Sequence, residues 1–96
     1  MPQSLHVAFA HIVFSTKYRQ PFIDEAIENK LFAYLAERCQ AHGYEPYRVG
    51  GYLDHVHLLV RIPKVNIGAS ELLQKVKSSS SKWMKTQGAA YEDFWW

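Results

Sequence analysis

Residues 55–62, HVHLLVRI, carry two different kinds of side chain in strict alternation. Successive side chains of a strand point to opposite faces. Val56, Leu58, Val60 and Ile62 therefore share one face, and His55, His57, Leu59 and Arg61 share the other. The first set is entirely aliphatic, so it requires an apolar layer packed over it. Asp54 in front reads as a turn residue, and Pro63 stops the strand. The spacing thus aims both histidines away from the core.

The flanking sequence supplies the missing layer. Residues 5–16, LHVAFAHIVFST, are nearly continuously apolar and predict a central strand. KYRQPF then reads as a loop, because Pro21 disfavours regular structure before it. Asp24 is an N-cap candidate for a helix reaching about His42, with Ile27, Leu31, Tyr34, Leu35 and Cys39 on one face. Gly43 is a natural terminator. Residues 44–53 predict a second strand, bulged at Gly50-Gly51. Ser70 is an N-cap candidate for a helix to about Gln87, with Ala69, Leu72, Leu73, Val76, Ser80 and Trp83 inward. The order β-α-β-β-α predicts a single α+β domain over 1–96. It is a ferredoxin-like sandwich lacking its last strand, with both helices on one face of an antiparallel-containing sheet. The first and third strands should lie side by side.

The chain of 96 residues has a net charge of +2, too small to name a partner by itself. Its distribution is more specific. Lys64, Lys75, Lys77, Lys82 and Lys85 fall in one segment with a single acid, Glu71. One cysteine, Cys39, excludes an internal disulfide and a zinc-finger spacing. No apolar run has membrane-spanning length and no signal-peptide pattern is present, so the expectation is a cytoplasmic protein without a membrane partner.

Two imidazoles two residues apart on a strand can converge on one divalent ion. With the remaining positions open to water or a phosphate oxygen, Mg²⁺ or Mn²⁺ suits such a half-site. Asp54 can orient one imidazole from behind. The same residues also read as ordinary exposed strand histidines after a turn. Lys17 and Arg19, Arg48 and Arg61, and the helix stripe Lys75, Lys82 and Lys85 are candidates for phosphate contacts. Tyr18 between two basic residues can stack on a base, or can simply cap the first strand. Lysines on the outer face of a helix also read as a solvated surface. His11 reads best as a core histidine, with an extra ligand or a DNA contact as alternatives.

HIVFSTKYRQPFI at 11–23, GYLDHVHLLVRIP at 50–62 and KVKSSSSKWMKTQG at 75–88 occur together in one order and spacing. On these three segments the chain resembles the single-tyrosine HUH transposases, the small insertion-sequence transposases and their REP-associated relatives. HVH would be their histidine–hydrophobic–histidine element. The resemblance implies a homodimer that recognises hairpins in single-stranded DNA. It implies a divalent metal held by His55 and His57, and cleavage through a 5′-phosphotyrosine link. It also implies a last strand and a tyrosine-bearing helix beyond Trp96. No tyrosine here matches the nucleophile, so the chain is expected not to cleave DNA alone. A non-catalytic nucleic-acid-binding module, or a decayed transposase on the same fold, is the alternative.

Overall fold

The computed structural model describes residues 7–96. Strand β1 (Ala8–Ser15) leads through a single 3-10 turn at Lys17–Arg19 to helix α1 (Glu28–Ala41). Strands β2 (Glu45–Tyr52) and β3 (His55–Ile62) follow, then helix α2 (Ala69–Lys85) and a second 3-10 turn at Ala89–Tyr91. This is the expected β-α-β-β-α order. Leu5 and His6, at the start of the predicted first strand, lie outside the described residues.

The sheet order is β1-β3-β2, with both pairings antiparallel. A two-residue turn, Leu53-Asp54, folds β3 back along β2, while the α1 crossover leaves room for it beside β1. In the β1 register Ile12 faces Leu58 and Phe14 faces Val56. The aliphatic side of β3 is therefore covered as its pattern demands. Val56, Leu58 and Val60 are fully buried against Leu31, Leu35 and Cys39 of α1 and Leu72, Val76 and Met84 of α2. Burial pushes the Cys39 thiol up to about 11, so it is a core side chain rather than a nucleophile.

Both helix starts shift from the expected residues. Asp24 does accept from the Ile27 amide at 3.2 Å, but residues 25–27 form a turn and α1 begins at Glu28. Helix α2 begins at Ala69, ahead of Ser70. Gly68 precedes it with φ 89°, and its amide donates to Asn66 Oδ1 at 2.8 Å. The inward face of α2 also extends further than predicted, taking in Ser81 and Met84, while Ala69 is exposed. The cause is the segment after α2. Tyr91 and Phe94 are buried, and Trp96 stands edge-on to Phe14 and donates to Ser80 Oγ at 2.9 Å. The serine run 78–81 thus provides small side chains over which these rings pack. Trp83 is only partly buried and stacks on Tyr34 of α1, with ring centroids 4.7 Å apart. Among the described residues no helix is long and apolar enough to cross a membrane.

Candidate functional site

The sheet face away from the helices is built in rows across three strands. Ser15, His55 and Tyr52 form one row; Val13, His57 and Gly50 the next; His11, Leu59 and Arg48 a third; Phe9, Arg61 and Glu45 a fourth. His55 and His57 are half-buried there, their ring centroids 5.0 Å apart and their planes 80° apart. A metal–nitrogen bond of ~2.1 Å limits two imidazoles on one ion to centroids no more than about 6.5 Å apart. The pair meets that limit with steeply inclined rings.

Asp54 does more than turn the chain. Its Oδ1 lies 2.8 Å from His55 Nδ1. A carboxylate only accepts, so the imidazole hydrogen is on Nδ1 and the Nε2 lone pair is left for a ligand. Arg19 Nε donates to Asp54 Oδ2 at 3.0 Å, and Arg19 Nη1 donates to Ser15 Oγ at 2.9 Å. Thr16 is buried and its amide donates to the Asp54 carbonyl at 2.8 Å. The hydrogen bond from His55, with help from the Arg19 charge, holds the Asp54 carboxyl below the usual carboxylate range. To place this guanidinium, Tyr18 and Arg19 adopt φ of 58° and 57°. Left-handed backbone at non-glycine residues costs on the order of 1–2 kcal/mol each.

These contacts give several of the expected residues a second role. Arg19 donates to Asp54 and Ser15 while its side chain stays 65% exposed. Lys85 leaves the helix stripe. Its ammonium donates to Ser81 Oγ and the Phe94 carbonyl and sits 3.8 Å from the Trp95 ring centroid, where it ties down the last residues. Lys75 and Lys82 line a groove with His42 at the end of α1 and with Glu71 and Ser78 of α2. That helix covers the other side of the sheet, so these lysines and the histidine pair do not share a surface. Arg61 is on the histidine face with Glu45 at 3.9 Å. Tyr18 is 83% exposed beside the Lys17 ammonium, near the Asp54 end. Arg48 lines an open groove beside His57.

His11 is not a core histidine. The register puts it on the open face, exposed, stacked on His57 with centroids 5.8 Å apart and planes 16° apart. Its alternation with Phe9 and Val13 is the signal in the sequence, masked because β1 is apolar on both faces. Among the described residues no three His, Cys, Asp or Glu side chains form a metal-holding group.

Residues 4–96 match the family model described as "Transposase IS200 like". The chain belongs to the IS200-like transposase family. A solved structure of a protein from Deinococcus radiodurans R1, described as a candidate transposase, superposes with a TM-score of 0.83 at 18% identity. The match covers 100% of this chain and 77% of that one, and it shows the shared α+β fold. Among curated proteins none matches. Membership of the IS200-like transposases gives the chain a transposase-type role.

Proposed function

We propose that this chain binds single-stranded hairpin DNA on the open sheet face and holds a backbone phosphate at His55 and His57 together with Mg²⁺ or Mn²⁺. The observation that carries this reading is the paired imidazoles backed by Asp54. His57 presents its ring from the central strand, and the Arg19–Asp54 contact keeps the His55 Nε2 lone pair available. When bound, the cation supplies Lewis-acid polarisation of the phosphate oxygens. In the strand cleavage of the family, a tyrosine oxygen bonds to phosphorus and the 3′-oxygen of the neighbouring nucleotide leaves. Tyr91 is unsuited to that step, because its buried hydroxyl donates to Asp24 Oδ1 at 2.7 Å. Tyr44 is fully buried and Tyr34 is stacked on Trp83. The residues described here therefore favour the binding half of the chemistry.

Mn²⁺ titration of the chain and of a His55→Ala, His57→Ala variant, with and without hairpin DNA, tests the site. The variant should lose at least tenfold in Mn²⁺ affinity, and equal binding by both proteins sinks the assignment. In the same reactions no covalent 5′-phosphotyrosine adduct should form. An adduct abolished by Tyr52→Phe, the tyrosine registered against His55, would overturn the binding-only reading.

A further inference from the structure

Gly50 and Gly51 are adjacent, yet only one of them is required by the backbone. At Gly51, registered against Val56, an added Cβ would run into the His55 carbonyl oxygen and stand 2.8 Å from Val56 Cα. At Gly50 an added Cβ would meet nothing within 4 Å, and φ is not in the left-handed region. Glycine in a strand interior weakens the strand and offers no side chain to pack. What it provides at position 50 is space. Gly50 is registered against His57, between Arg48 and Tyr52 on β2. The gap opens into a groove of about 960 Å³ whose lining includes His11, Tyr47, Arg48, His57 and Leu59. A bulge between Pro46 and Arg48 inserts Tyr47 into this wall, where its ring meets Phe9 edge-on at 4.9 Å.

We propose that this groove seats one nucleotide of single-stranded DNA, its base over Gly50 and its outer phosphate on Arg48. The inference rests on the reading that the neighbouring phosphate lies at His57. Arg48 is the arginine of this face for which no carboxylate partner is found among the described residues, whereas Arg61 has Glu45. A guanidinium fork matches phosphate oxygens bidentately. Arg48 is registered against Leu59, so it is the diagonal cross-strand neighbour of His57. Such neighbours are ~7–8 Å apart, about one nucleotide step of an extended single strand. The rings of His11 and Tyr47 give the base an aromatic border. The groove is open to solvent and has room for one base and its sugar.

The test uses thymidine 3′,5′-bisphosphate and a six-residue oligothymidine as probes, without metal, followed by amide chemical shifts on the intact chain. Shifts should concentrate at Arg48, Gly50 and His57. Gly50→Val, which fills the gap with a strand-favouring side chain, should weaken the oligothymidine at least tenfold. Arg48→Ala should weaken it at least threefold, with Arg48→Lys recovering only part of the loss, and it serves as the independent variant should Gly50→Val fold poorly. Wild-type affinity in both Gly50→Val and Arg48→Ala, or shifts confined to the Lys75 and Lys82 side, would overturn the proposal. Mn²⁺ binding separates the two readings. If the histidine variant keeps its Mn²⁺ while the probe still occupies Gly50, the metal reading fails and the nucleotide groove stands. If Mn²⁺ binding needs the histidines and the probe ignores Gly50, the reverse holds.

Discussion

Single residues here are defined by what their polar atoms hold. Arg19 and Lys85 carry ordinary surface charges in the sequence, yet each donates to a partner within the protein, Asp54 and the Phe94 carbonyl respectively. Tyr91 is the clearest case for measurement. Burial, and then the hydrogen bond to Asp24, push its phenol from about 10 up to about 12. A folded-state value above the unfolded one means that the neutral hydroxyl stabilises the fold fully below pH ~10. That contribution is lost as the pH rises from about 10 toward 12. Tyr91→Phe should lower stability by about 1–2 kcal/mol at pH 7 through the lost hydrogen bond. The gap between wild type and variant should close in the alkaline range. Urea midpoints at pH 7, 10 and 11.5 check both the size and the pH window.

At the scale of elements, β2 must pass β3 closely enough to pair with it, and Gly51 is where it comes closest. Gly51→Ala should cost about 2–3 kcal/mol, because the contact is with backbone that has no way to yield. Gly50→Ala should be neutral or stabilise by up to about 1 kcal/mol, since nothing opposes its Cβ. Denaturant midpoints of the two variants measure the contrast, and equal costs would contradict the geometry. The two glycines are indistinguishable in sequence; only the partner strand tells them apart. Helix α2 teaches the same lesson. Its periodicity names Leu72, Val76 and Ser80 as inward, and all three are buried. Ser81 and Met84 join them only because residues 91–96 return over the helix.

For the whole molecule, β1 forms one edge of the three-stranded sheet, and Phe9 and Val13 on its open side are 43% and 53% exposed. A long apolar edge invites pairing with another chain. We expect a homodimer in which a second copy covers β1. Sedimentation at micromolar concentration should show it, and Val13→Lys should shift it toward monomer by placing a charge at the edge. A concentration-independent wild-type monomer would count against this arrangement.

The sequence by itself determined the division of β3 into an aliphatic face and a histidine face, and with it the β-α-β-β-α order. Both follow from local periodicity, which the backbone converts directly into direction. Asp54 was legible too, as the residue next to the imidazole it supports. Tertiary structure alone decided that His11 lies against His57 and that Arg19 reaches Asp54. It also decided that the lysines of α2 are on the far side of the sheet from the histidines. Those outcomes depend on strand register and on which segment returns over which helix. The Arg19–Asp54 and His11–His57 contacts join residues 35 and 46 positions apart, beyond what any local pattern encodes.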